Sequence, residues 1–400
     1  MKSSRDERKL LLLTYLLCIV GFLNLAMLNK DFDKGAIAMG AVTCLLIGYS
    51  YFIIRKFFSD GDKFIFIFSS ILAIIGIIML YRLDKATSIK QIIWFAVGVT
   101  TFILIVVILP DLKSFSKYKY LYMILTIVFM SMGTLFGKVL YGAKNWVNIG
   151  GFAFQPSEFG KLFLIAYLAS SLKDYKNFKH LIEPAIIVMV SLGFMVLQRD
   201  LGSALMFFGI SVTMLYMATS KIKYVATCFG LFGIGAFISY HLFDHVKLRF
   251  LIWKDPWPYA TDKSFQVVQS LFAIASGGLL GVGLGKGFPE YIPVITTDFI
   301  FSIICEELGM LTGFSIIILY ILLFYRCMRA ALYADDKFSR LMTVGFSSMI
   351  ACQTLVIVGG VINMIPLTGI TLPLVSYGGS SMLSTFISLG IIQKISEEGR

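Results

Sequence analysis

Apolar residues run along this chain in stretches of about 20, separated by short polar breaks, which is the length a helix needs to cross the hydrocarbon core of a membrane. Such runs fall near 9–28, 35–54, 64–81, 91–110, 119–138, 157–172, 181–197, 200–218, 222–243, 298–325, 341–364 and 374–393. The pattern predicts an all-α polytopic membrane protein of about twelve transmembrane helices. Gln198, Arg199 and Asp200 leave so short a break that the seventh and eighth spans must form a hairpin. Two breaks, at 139–156 and 244–297, are longer than the rest, and long structured loops usually carry function. Inside the second, SFQVVQSLFAIASGGLLGVGLGKG is apolar enough to dip into the bilayer but too rich in glycine to cross it as a stable helix. It predicts a re-entrant or interfacial segment packed against the bundle, because irregular backbone is not tolerated in lipid.

Composition narrows the class further. The chain is 58% hydrophobic and 14% charged, against about 25% charged in soluble domains. Its net charge of +12 comes from short clusters between apolar runs, the distribution of cytoplasmic loops and not of a nucleic-acid surface. The Lys and Arg bias, moderate in strength, places both termini inside and the loop at 244–297 outside. Cys18, Cys44, Cys228, Cys305, Cys327 and Cys352 lie in or beside apolar spans with no Cys-x-x-Cys pair, and read as small apolar fillers. The basic start followed by LLLTYLLCIVGFLNLAML resembles a signal peptide, but the apolar run is too long and no small-x-small site follows, so it reads as a retained first span.

Chemistry concentrates in a few stretches. TTDFIFSIICEELG carries Asp298, Glu306 and Glu307 into an apolar helix, and a carboxylate at membrane depth is a functional-site hypothesis by default. Asp298 reads either as a helix N-cap or as a general base toward a bound hydroxyl at the outer mouth of the bundle. Ser302, Cys305 and Gly309 share much the same helical face and could border a cavity. At least one of Glu306 and Glu307 must find a partner elsewhere. Glu158 and Lys161, in FQPSEFGKL, are three apart and share a face; they read as an intramembrane ion pair, as part of the cavity that holds Asp298, or as both.

The glycines from Gly277 to Gly287 fit neither nucleotide template: Leu280 stands where a Walker loop needs glycine, and Gly287 follows the lysine where Ser or Thr should. Close packing of a bent segment is the favoured reading, and backbone amides approaching a pyrophosphate the other. His241 and His245 are four apart, but a third zinc ligand is missing. Lys144, Arg199, Lys247, Arg249, Lys254, Lys263 and Lys286 are outer basic residues; singly they are solvated or bound to headgroups, and together they form an anion-binding rim. PLTGITLPLVSYGGSSML, from Pro366 to Leu383, breaks a connection with two prolines and opens a helix with small residues suited to close packing.

TTDFIFSIICEELG, FQPSEFGKL and PLTGITLPLVSYGGSSML, in that register, resemble the SEDS family of RodA, FtsW and SpoVE, from about Ile71 to Ile392. The resemblance implies a ten-helix bundle over 61–400, preceded by two additional spans in 1–60 on which it is silent. Arg199, in QRDLG, stands where the family usually has proline. The family implies a peptidoglycan glycosyltransferase that polymerises lipid II on the outer face of the bacterial cytoplasmic membrane, for elongation, division or sporulation. Asp298 matches its proposed catalytic acid, and Glu158 with Lys161 its cavity charge pair. Lys144, Arg199, Arg249, Lys263 and Lys286 are the residues available to a substrate pyrophosphate. No cofactor is certain; the basic rim or a bound divalent cation would stabilise the leaving anion. Implied partners are lipid II, membrane lipids and a class B penicillin-binding protein. A lipid II flippase and a non-enzymatic scaffold activating that partner are the rival readings.

Overall fold

A computed structural model describes every residue except 1, 29–30, 59, 141–142, 151 and 400. Its helices begin with α1 (Lys2–Met27), α2 (Lys34–Phe57), α3 (Phe64–Leu83), α4 (Lys85–Ile108) and α5 (Lys119–Phe136). Three short strands follow: β1 (Lys138–Leu140), β2 (Ala143–Ile149) and β3 (Phe152–Phe154). Then come α6 (Pro156–Leu172), α7 (Lys179–Leu197), α8 (Leu201–Thr219), α9 (Ile222–Leu242), α10 (Asp244–Lys254) and α11 (Phe265–Gly277). The chain ends with α12 (Ile300–Tyr333), α13 (Lys337–Val361) and α14 (Gly379–Glu398).

Among the described residues, ten helices are long and apolar enough to cross a membrane. α6, of 17 residues, and the serine-rich α14 occupy the other two expected spans and are largely buried, which lets them carry polar side chains that lipid would not accept. The fold is the expected all-α polytopic one. The long break between α5 and α6 is structured at 138–154 as an antiparallel sheet in the order β1-β2-β3. That stretch is too short and too polar for a span, and pairing its backbone groups satisfies them locally.

The chain folds as two compact units, one of 1–109, 270–333 and 371–400, the other of 110–269 and 334–370. In the first, α3 is apolar on every face and buried on most of its surface, making it the central helix. α1 packs on α2 and α3, and α2 on α4. α4 and α14 approach closely where Gly98 meets the Phe386 ring, the small-residue packing typical of membrane helices. In the second unit α13 packs between α6 and α8, while α9 has no buried residue and shows Phe229, Leu231, Ile234 and Phe237 outward. α7 and α8 form the expected hairpin. Its turn sets Arg199 at φ 59°, which a proline ring, fixed near −65°, could not adopt.

The loop at 244–297 is structured. α10 leads to a turn at Trp257–Tyr259 and then to α11, whose Val267, Val268 and Ala273 are buried. At 13 residues, α11 is too short to span a bilayer, the form expected of an interfacial segment.

Candidate functional site

In the first unit, Asp298 lies in a turn two residues before α12, not at the helix opening as the sequence suggested. Its amide donates to Val294 O at 3.2 Å, and the residue is half-buried. The backbone leading into it is held by the 366–383 stretch. Tyr377 N donates to Thr296 O at 2.9 Å, and Ser376 Oγ donates to Thr297 O at 2.5 Å. Ser376 O in turn accepts from Gln91 Nε2 at 2.9 Å, and Gly378 N donates to Gln91 Oε1 at 3.4 Å. Gln91 is fully buried in α4, so two motifs far apart in sequence are locked to each other and to a rigid helix. Burial pushes the Tyr377 phenol above its ordinary value.

The other two carboxylates of that stretch serve the backbone. α12 is broken at Gly309, with φ 85° and ψ 163°, a conformation essentially confined to glycine. The break frees the carbonyls of Glu306 and Glu307, which accept from Val282 N and Gly283 N, both at 2.9 Å. Beyond it, Met310 N and Leu311 N donate to Gly278 O and Leu279 O at 2.9 and 3.2 Å. The Glu307 carboxylate accepts from Gly285 N at 2.9 Å and Gly287 N at 3.3 Å, and pairs with Arg82 at 3.2 Å. Glu306 accepts from Phe288 N at 3.3 Å. The glycine run is thus a close-packed bent segment, with the amides of Val282, Gly283, Gly285 and Gly287 donating to α12. α11 and the glycine run pack on the face of Ser302, Cys305 and Gly309: Ser302 bonds Ser270 at 2.7 Å, and a Cβ on Gly277 would strike Cys305 O.

In the second unit, Glu158 and Lys161 form the expected pair at 2.7 Å, and Lys161 Nζ donates to Gln353 Oε1 on α13 at 3.1 Å. Pro156 opens α6 and Glu158 sits in its first turn, where the helix dipole favours a carboxylate. A hub that sequence reasoning missed fixes this helix start: buried Asp200 accepts from Asn145 Nδ2 of β2 at 2.7 Å, Gln155 Nε2 at 3.1 Å and Ser203 Oγ at 2.8 Å.

The basic residues divide. Lys144 Nζ donates to Thr134 O at 2.7 Å, and Arg249 donates to Leu367 O and Thr368 O at 3.2 and 3.3 Å, so both hold backbone. Arg199, Lys263 and Lys286 are exposed. Burial, with Arg199 and Arg249 nearby, holds His245 below its ordinary value. His241 and His245 share no helical face, because the chain breaks at Phe243 between α9 and α10. Among the described residues no three His, Cys, Asp or Glu side chains converge as metal ligands.

The family model described as cell cycle protein, FtsW/RodA/SpoVE, matches residues 62–400. The chain belongs to this family. Relatives include the peptidoglycan glycosyltransferase RodA of Mycobacterium tuberculosis, 33% identical over 99% of this chain and 92% of that protein. Stage V sporulation protein E of Bacillus subtilis is 32% identical over 86% of this chain and 98% of that protein. Among solved structures, the Thermus thermophilus rod shape-determining protein RodA matches with a TM-score of 0.65 at 25% identity, covering 84% of this chain and 97% of that one. A chain of a peptidoglycan synthase complex that coordinates polymerization and crosslinking matches at 0.73 and 24% identity, over 85% and 98%. Alignment with the mycobacterial RodA covers nearly the whole chain, so it takes in α1 and α2, which lie outside the family model.

Proposed function

We propose that this family member is a peptidoglycan glycosyltransferase that polymerises lipid II into glycan strands at the outer face of a bacterial cytoplasmic membrane, with both termini inside. The observation that carries the reading is the lock on Asp298: of the three carboxylates in its stretch, it alone stands outside α12, half-buried on a turn fixed by Ser376 and Tyr377. A carboxylate so held is preorganised as a general base, worth roughly 10²–10⁴ in rate. It accepts the proton of the acceptor sugar hydroxyl as that oxygen bonds to the anomeric carbon of the donor. The bond from that carbon to the pyrophosphate oxygen breaks on the opposite side, inverting the centre, and the electron pair leaves with the lipid pyrophosphate.

The departing anion needs no protein acid, only positive charge. Lys286 is an exposed cation of the unit that holds Asp298 and can supply it; Lys144 and Arg249 hold backbone instead. Glu158 and Lys161 supply a fixed buried ion pair in α6, the family's charged pair. Membrane lipids surround the protein, and a class B penicillin-binding protein, which crosslinks the new strand, is the proposed partner; the likeness to a chain of a synthase complex supports it.

The test is strand formation from purified lipid II by the full chain in detergent, with and without the partner. Asp298→Asn and Asp298→Ala should lose at least about 100-fold while unfolding at the wild-type temperature. Full activity in either would refute the mechanism. Translocation of lipid II across sealed vesicles without strand synthesis would favour a flippase. Growth supported by Asp298 variants would favour a scaffold.

A further inference from the structure

The second unit holds a cavity of about 530 Å³ at one end of its helices, within the range of small-molecule sites. Three connections build it: the turn at Leu112–Lys117, the link between α6 and α7, and the start of α13. Lys113, Lys173, Lys176 and Lys337 line it, opposed by Asp174 and Asp336. Of these, Asp336 is occupied as the N-cap of α13, accepting from Phe338 N at 2.9 Å and Ser339 N at 3.1 Å. Lys173 Nζ donates to Ser116 O at 3.4 Å. Among the described residues, the ammonium groups of Lys113, Lys176 and Lys337 make no hydrogen bond or ion pair, so the cavity keeps an excess of positive charge.

We propose that this cavity binds the phosphate headgroup of an anionic phospholipid from the cytoplasmic leaflet. The orientation is the one proposed above; the inference does not depend on glycosyl transfer. Two observations select a lipid over a soluble phosphate. The cavity adjoins the starts of α5 at Lys119 and α7 at Lys179, the helix ends that the proposed orientation sets at the cytoplasmic headgroup layer. From there both helices present apolar side chains outward, Leu121 and Ile124 on α5, Ile182 and Ile186 on α7, a path for acyl chains. Basic pockets between spans on the cytoplasmic side are suited to such headgroups, since ammonium groups act on phosphate as point charges.

The experiment is native mass spectrometry of the full chain in detergent, titrated with dioleoylphosphatidylglycerol and, separately, dioleoylphosphatidylcholine. Wild type should retain phosphatidylglycerol at least about fivefold better, and Lys113→Gln/Lys176→Gln/Lys337→Gln should lose about tenfold of that retention. A charge-matched control, Arg8→Gln/Lys9→Gln/Lys56→Gln, should stay within about twofold of wild type. Lys176→Gln alone, in an exposed connection, serves if the triple variant does not fold. Equal loss in both triples would reduce the effect to net charge and overturn the proposal, as would undiminished retention by the folded pocket variant. Displacement of the lipid by an equal concentration of glycerol 3-phosphate or inorganic phosphate would overturn the lipid assignment. None of these readouts requires polymerisation, so failure here is distinct from failure of the proposed function.

Discussion

Arg82, at the end of α3, pairs with Glu307 on α12 at 3.2 Å, and the Glu307 side chain is fully buried. The same carboxylate holds Gly285 N and Gly287 N, so one ion pair joins the central helix of its unit to the glycine run. Removing one partner of a buried pair strands the other charge, which costs about 3 kcal/mol or more. Arg82→Ala should therefore lower the unfolding temperature in detergent by roughly 5 °C. Arg82→Lys should restore part of the loss, because it keeps the charge but not the forked donor. Unchanged unfolding in Arg82→Ala would show that the glycine run does not depend on the pair.

Glu158 and Lys161 make a sharper case, since both are buried and lie one turn apart. Glu158→Gln and Lys161→Met should each destabilise by about 3 kcal/mol. The double variant should cost at least about 1 kcal/mol less than the sum, because it leaves no uncompensated charge. Strict additivity in chemical or thermal unfolding would mean that the two charges do not interact in solution.

Those two pairs mark where the sequence could be read and where it could not. The Glu158–Lys161 pair is legible in sequence because three-residue spacing on a helix dictates proximity, and Asp298 stands out there because a carboxylate among apolar spans is rare. Arg82 was not, since nothing in an apolar run says which distant helix its last turn will face. Asp200 was read only as part of a tight turn; its role as acceptor for Asn145 and Gln155 depends on a sheet that three short strands form together. The same holds for Ser376, whose hydroxyl reaches Thr297 through a loop that looked like packing alone. Spacing alone places Gly309 on a stripe of small residues, whereas its work is a backbone break that only tertiary hydrogen bonding reveals.

Gly309 also gives a clean steric prediction. A Cβ there would lie 2.3 Å from Leu279 O and 2.5 Å from Gly281 N, backbone atoms that cannot swing aside, and the residue would have to hold φ 85°. Gly309→Ala should cost about 3 kcal/mol and reduce the yield of folded protein. Gly193→Ala, inside α7 with nothing within 4 Å of the added carbon, should be neutral or stabilise by up to about 1 kcal/mol. Similar unfolding temperatures for the two variants would sink the account of the break.

At the connection between α1 and α2, Asp33 accepts from Lys85 Nζ at 2.5 Å and from the Tyr81 hydroxyl at 2.9 Å, and caps α2 through Gly35 N at 2.9 Å. The hydrogen bond from Lys85, and then those from Tyr81 and Gly35, hold its carboxyl below the ordinary carboxylate value. A group whose folded value is depressed binds its proton more readily when the chain is unfolded. Its contribution is therefore complete above the unfolded carboxylate value of about 3.9 and is lost as pH falls through the lower folded value. The stability gap between wild type and Asp33→Asn should stay constant from neutral pH down to about 5 and shrink below about 4. Thermal unfolding of both proteins across that range measures it. A gap that widened on acidification would reverse the sign and remove Asp33 as an ionised anchor of the α1–α2 hairpin.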